Sequence, residues 1–246
     1  MRNIKLTIEY DGTNYQGWQV QGDAPTVQKT LEDAIPNVVQ HPVTVIGSGR
    51  TDAGVHALGQ VAGFTTSSEI PAHNLAHAIN SHLPPDIAVQ AAEDAPPEFH
   101  ARYSAKEKTY RYTMLNRDVR SPLLRNRAYR LRARLDLAQM KRAARHLIGQ
   151  HDFQAFQSKS LDAEGKSSVR TITRLSIERS GDLIELCVTA NGFLYNMVRA
   201  IVGTLIEVGI GKIDADEMKR IVDSKDRSIA GPTAPARGLC LMEVVY

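Results

Sequence analysis

Arg170 to Ala190 reads RTITRLSIERSGDLIELCVTA. Ser180-Gly181-Asp182 is a short turn of small and polar residues between two segments of strand length. Residues 170–179 and 183–190 are therefore expected to pair as a hairpin. Downstream, 194–208 reads as an apolar helix, 214–224 as a shorter polar helix, and 239–245 as a last strand. Upstream lie a strand at 105–115 and a helix at 136–148. That helix has the apolar face Leu137, Met140, Ala144, Leu147 and Ile148, and Gly149 closes it. The order is β-α-β-β-α-β with additions.

The first hundred residues repeat that order. Ile4, Leu6, Ile8 and Tyr10 alternate along a strand at 3–10. Val27, Leu31, Ala34 and Ile35 recur at helical spacing, and Pro36 is expected to stop that helix. Strands are expected at Val43 to Ile46 and Gln60 to Thr65, a helix at 72–81 entered through Pro71, and a strand at Ile87 to Ala91. A duplicated split β-α-β unit is the economical architecture. It predicts an α+β fold of two ferredoxin- or RRM-like halves, 1–100 and 101–246, around a mostly antiparallel central sheet. The chain crosses between them near Pro96 and Pro97. Residues 158–169 read as a loop.

Composition narrows the class. With 42% hydrophobic and 23% charged residues in a chain of 246, a soluble globular protein is expected. Cys187 and Cys240 each sit in an apolar run, so two buried free thiols in a reducing cytoplasm are expected rather than a disulfide or metal site. No leader-like segment precedes the first strand, and the apolar stretch Phe193 to Ile210 carries Arg199 and Glu207. Neither export nor a membrane span is expected.

The net charge of +3 conceals an asymmetry. Residues 1–100 hold 4 Lys/Arg against 11 Asp/Glu, residues 101–145 hold 14 against 3, and residues 146–246 hold 12 against 13. A basic block of that density either splays over solvent or meets a polyanion. Interleaved aromatic residues favour a nucleic acid.

Three places can carry chemistry. In Gly47 to Ala57, GSGRTDAGVHA, glycines let backbone pass close to something. The Walker lysine is absent, and no helix-forming run comes after it for a dinucleotide fingerprint. Asp52 is either the head of an Asx-turn or a catalytic carboxylate, and Arg50 is either its ion-pair partner or a phosphate ligand. In the strand after Ala105, Lys106, Lys108, Tyr110 and Tyr112 share a face. That face is either an RNA surface of stacking tyrosines and phosphate-binding lysines, or a core face with snorkelling lysines. Arg199 lies in the apolar run 194–208, where an unpaired charge is costly, so a carboxylate or phosphate partner is expected unless it sits at a helix end. His73 and His77 at i, i+4 lack the glutamate of a zinc motif and read as surface residues. No metal and no cofactor are expected.

In order along the chain, these motifs resemble the tRNA pseudouridine synthase A family. Tyr10 to Gln19 (YDGTNYQGWQ), Gly49 to Ala57 (GRTDAGVHA), Phe99 to Ala105 (FHARYSA), Lys108 to Tyr112 (KTYRY), Phe193 to Arg199 and Pro232 to Leu239 (PTAPARGL) are all similar to family motifs. Asn191-Gly192 and Ala200 depart from a common form of the helix motif and leave Arg199 in place. The resemblance implies a pseudouridine synthase-like fold with a catalytic cleft and Asp52 as the catalytic aspartate. It implies Tyr110 stacking on the target uracil and Arg199 as the basic partner of Asp52. It also implies a cytoplasmic homodimer without cofactor or metal, acting on tRNA uridines at about positions 38, 39 and 40. Lys106, Lys108, Arg125, Arg127 and Arg130 are the candidate RNA-backbone contacts. The carboxylate either attacks C1′ or assists by sugar deprotonation, and either Tyr110 or a water takes the C5 proton. Two rivals remain: a non-catalytic RNA-binding protein, and a metal-dependent nuclease using Asp11, Asp52 and Glu107.

Overall fold

The computed structural model describes residues 1–159 and 165–246; the centre of the expected loop at 158–169 lies outside the described residues. Two compact units result, one of Met1–Lys106 with Cys240–Tyr246, the other of Glu107–Leu239.

In the first unit the order is β1 (Arg2–Tyr10), α1 (Val27–Val39), β2 (Ile46–Gly47), β3 (His56–Thr66), α2 (Ala72–Asn80) and β4 (Ile87–Ala95). The strands lie β4-β1-β3, with β2 on the far side of β3 and every one of these pairs antiparallel. This is the split β-α-β unit that the periodicity predicts. Ile4, Leu6, Ile8 and Tyr10 all point inward from β1. Thr26 caps α1 by accepting the Lys29 N–H, and α1 buries Val27, Leu31, Ala34, Ile35 and Val39.

Pro36 does not end α1. A proline removes one donor but no acceptor, and the Gln40 N–H still reaches the Pro36 carbonyl at 2.9 Å. The Asn37 amide covers the Asp33 carbonyl, and Gln40 closes the helix in the left-handed region. His73 and His77 are exposed on α2, as surface residues should be.

The second unit runs β5 (Glu107–Asn116), β6 (Tyr129–Leu131), α3 (Leu137–Arg145), β7 (Gly149–Asp152), β8 (Val169–Ser180), β9 (Leu183–Ala190), α4 (Met197–Gly209) and α5 (Glu217–Ser224). Its strands lie β5-β9-β8-β7, all antiparallel, with β6 parallel to β5. The β8–β9 hairpin turns at Gly181, whose φ of 58° suits glycine. Asp136 caps α3 by accepting from the Ala138 and Gln139 N–H groups.

The last strand, β10 (Leu239–Val245), departs from the expected repeat. It pairs in parallel with β3, Cys240 opposite His56 and Leu241 opposite Ala57. Residues 240–246 therefore belong with the first unit, and the division at 100/101 moves to 106/107. Cys187 and Cys240 are not disulfide-bonded, and both are half-buried rather than buried as expected. Burial, with Glu185 nearby, pushes the Cys187 thiol above its ordinary value.

Candidate active site

Asp52 sits in the connection between β2 and β3, and backbone contacts hold its neighbours in place. The Trp18 N–H donates to the Thr51 carbonyl at 3.0 Å, the Gly54 N–H to the Tyr15 carbonyl at 3.3 Å, and the Val55 N–H to the Asp52 carbonyl at 3.1 Å. The Tyr10 hydroxyl lies 2.7 Å from Thr51 Oγ1. Glycines let the segment after β1 approach this closely. Gly17 has φ 91°, and a Cβ there would stand 2.5 Å from the Thr51 carbonyl oxygen. A Cβ on Gly12 would collide with the Val55 carbonyl, and one on Gly47 would lie 2.5 Å from the Trp18 ring. The motif 10–19 is thus the clamp on the motif 49–57, and Asp52 itself is half-buried.

His56 begins β3 and is buried. Its Nδ1 accepts the Gly12 N–H at 3.1 Å and also lies 3.1 Å from Asp11 Oδ1. A nitrogen that accepts from Gly12 has no proton to give the carboxylate, so only one of these two contacts is a hydrogen bond in a given tautomer. Arg50 is exposed and donates through Nε to the Gln19 side-chain oxygen at 3.1 Å.

Arg199 lies in the first turn of α4, because the helix starts at Met197 and not at 194. Asn196, at φ 60°, breaks the helical path just before it. The guanidinium therefore sits near a helix end. Its Nε donates to the Ala234 carbonyl and Nη1 to Asn196 Oδ1, both at 2.7 Å. Both of these acceptors are neutral oxygens. The Ala234 N–H returns a bond to the Arg199 carbonyl at 3.0 Å, and the Gly231 N–H donates to Thr204 Oγ1 at 2.9 Å. A side chain on Gly203 would collide with the Pro232 carbonyl.

Tyr110 and Tyr112 share a face of β5, as the alternation requires, but neither lies on an open surface. Tyr112 is 0% and Tyr110 8% exposed. Tyr112 donates to the Pro235 carbonyl at 2.8 Å, and burial pushes its phenol well above the ordinary range. Tyr110 meets Phe193 edge-on at 5.1 Å. The core-face reading holds for Tyr112. The motif 232–239 is a strap whose successive carbonyls, Ala234 and Pro235, take Arg199 and Tyr112. Its motif match carried no role in the sequence, and neither did Asn196 nor Gln60.

The remaining candidates are dispersed. Arg125 and Arg127 are exposed, while Arg130 lies half-buried in β6 and donates to the Asp118 carbonyl at 2.8 Å. Lys106 is exposed and ahead of β5, not within it; Lys108 is half-buried in β5. Of the carboxylates proposed for a nuclease, Asp11 caps a 3-10 turn by accepting the Thr13 N–H, and Glu107 accepts from the Thr173 hydroxyl. Among the described residues no group of three His, Cys, Asp or Glu is placed to hold a metal ion. No helix among them is long and apolar enough to cross a membrane.

The family described as tRNA pseudouridine synthase matches residues 6–104 and 143–246. The chain is 53% identical to "tRNA pseudouridine synthase A" of Acetivibrio thermocellus, over the full length of both chains. It is 52% identical to the protein of that name in a Thermoanaerobacter species and 50% identical to "tRNA pseudouridine synthase A 2" of Clostridium perfringens, again over both full lengths. Among solved structures, a Cbf5-Nop10-Gar1 complex aligns with TM-score 0.37 at 11% identity, over 96% of this chain and 57% of that one.

Proposed function

The chain belongs to the tRNA pseudouridine synthase family, a family of isomerases, and on that premise we propose how its residues convert uridine to pseudouridine in tRNA. Asp52 is the reacting carboxylate, Arg199 its basic partner, and Tyr110 the ring that stacks on the target uracil. The uridines of the anticodon stem-loop named above are the targets. The protein works as a homodimer in the cytoplasm, and neither cofactor nor metal takes part.

The observation that carries this reading is the clamp on the Asp52 loop. Pseudouridylation breaks the N1–C1′ bond, joins C1′ to C5, removes the C5 proton and leaves a proton on N1. One carboxylate held in place serves either opening step, attack on C1′ or sugar deprotonation. A carboxylate on a loop pinned at Thr51, Asp52 and Gly54 has little freedom to lose on reaching the transition state. The uracil must first leave its stack, which costs a few kcal/mol. Stacking on an aromatic ring returns about 1–3 kcal/mol of that. The exposed Arg50, Arg125 and Arg127, with Lys106, Lys108 and Arg130, serve the RNA backbone, a role indifferent to base sequence. A non-catalytic RNA-binding protein is disfavoured by full-length likeness to named synthases.

Tritium release from C5-labelled uridine in tRNA tests the activity. The wild type releases it, and Asp52→Asn loses at least about 10³-fold in turnover, the scale on which removing a reacting group acts. Binding of tRNA stays unchanged in that variant. Pseudouridine formed by a pure Asp52→Asn sample would remove Asp52 from the reaction. Mapping the product residues in tRNA checks the targets, and light scattering at twice the chain mass checks the dimer.

A further inference from the structure

Beneath the Asp52 loop lies a chain of buried polar side chains that the reaction scheme does not use. Ser48 and Gln60 are 0% exposed, Tyr10 3% and Thr51 6%. Ser48 Oγ donates to Gln60 Oε1 at 2.6 Å, and Gln60 Nε2 donates to the Gly49 carbonyl at 3.0 Å. The Tyr10 oxygen lies 2.7 Å from Thr51 Oγ1. Burial pushes the Tyr10 phenol well above its ordinary value, so it stays protonated and has one proton to give.

Gln60 joins Ser48 Oγ and the Gly49 carbonyl, and the Tyr10 hydroxyl shares a hydrogen bond with Thr51 Oγ1, in which either oxygen can be the donor. These bonds grip residues 48, 49 and 51, just ahead of Asp52. They are rooted in β1, through Tyr10, and in the neighbouring antiparallel strand β3, through Gln60.

We propose that Tyr10 and Gln60 are positioning residues for Asp52, tying the backbone just ahead of it to the β1–β3 pair. The proposal rests on Asp52 as the reacting carboxylate. An apolar pair could fill the same volume, but only hydrogen bonds to residues 48, 49 and 51 set where Thr51, and so the next residue, must lie.

The test uses the full chain and tRNA, reading kcat by tritium release beside tRNA Kd and Tm. Tyr10→Phe and Thr51→Val each lower kcat by about 10- to 100-fold with Kd unchanged, the cost of a misplacement on the order of 1 Å. Thr51→Ser keeps the hydroxyl and retains most of the turnover. Wild-type kcat in Tyr10→Phe or Thr51→Val overturns the proposal. So does an equal loss in Thr51→Ser and Thr51→Val, or a loss that merely tracks the unfolded fraction. Asp52→Asn runs alongside. If it keeps turnover, the assignment of Asp52 fails and the positioning role with it. If it is dead while Tyr10→Phe matches wild type, only the positioning role fails.

Discussion

Around Asp52 the holding contacts fall mostly on main chain, with the Thr51 hydroxyl added: Trp18 N–H on the Thr51 carbonyl, Gly54 N–H on the Tyr15 carbonyl, and glycine backbone laid against residues 51–53. Around Arg199 they fall on the side chain as well as on its carbonyl, and the guanidinium reaches Ala234 and Asn196. A carboxylate placed through its backbone does not depend on its own oxygens for its position. A guanidinium placed through its N–H groups depends on the acceptors they reach. The two regions should therefore fail differently. The first fails when Gly17 gains a carbon atom or Tyr10 loses its hydroxyl, the second when Asn196 loses its oxygen.

The sharpest break in that contrast is Gly17→Ala. The new Cβ meets the Thr51 carbonyl at a residue held at φ 91°, and an alanine there costs about 1–3 kcal/mol of stability. Turnover falls by about 100-fold through displacement of the Asp52 backbone, while tRNA affinity stays level. Wild-type kcat in a folded Gly17→Ala protein would show that the loop is not held from this side.

Arg199→Leu comes next. If Arg199 supports Asp52, turnover drops while tRNA affinity stays level. The fold survives with a loss of about 1–3 kcal/mol, because the Ala234 carbonyl loses its donor. Arg199→Lys recovers part of the activity at best, since an ammonium cannot span both acceptors as a planar fork does. Wild-type turnover in Arg199→Leu removes that role.

A smaller effect belongs to the exposed arginines. Reversing Arg125 and Arg127 to glutamate raises Kd for every tRNA alike and lowers the salt slope of binding by about 2, roughly one for each phosphate no longer neutralised. Unchanged affinity places the RNA path elsewhere.

The smallest change sharpens the guanidinium side alone. Asn196→Gly suits the backbone at φ 60° but deletes the Oδ1 that accepts from Arg199. A loss of about 1 kcal/mol of hydrogen bonding should show up as a few-fold drop in kcat. Asn196→Ala adds the strain of an alanine in the left-handed region and so lowers Tm further. Equal kcat in Asn196→Gly and wild type would mean that Ala234 alone places the guanidinium.

Long periodic elements are legible in the residue pattern. β1 shows strict alternation, and β8 and β9 flank an unambiguous turn. β6 and β7, three and four residues long, are too short for any period to register. The expected start of the helix at 194 is wrong because Phe193 to Tyr195 are as apolar as the helix beyond them. Only the left-handed backbone at Asn196 marks the boundary. Asp52 stands out through its glycine-rich surroundings and the ordered motifs. The backbone of 12–18, which those glycines admit, is invisible until the two segments meet.

The same limit separates the two levels for the whole chain. The succession of strands and helices, the inward face of each, the basic block and the order of the family motifs are all properties of neighbouring residues. A periodicity of two or 3.6 is set within a dozen positions. Tertiary structure alone decided that β10 joins β3, that Tyr112 is sealed while sharing a face with Tyr110, and that the acceptors of Arg199 include a backbone carbonyl. Each of those outcomes depends on a partner far along the chain, such as Pro235, 123 positions from Tyr112. A backbone carbonyl has the same chemistry at every residue, so no local pattern announces which one a buried side chain will find.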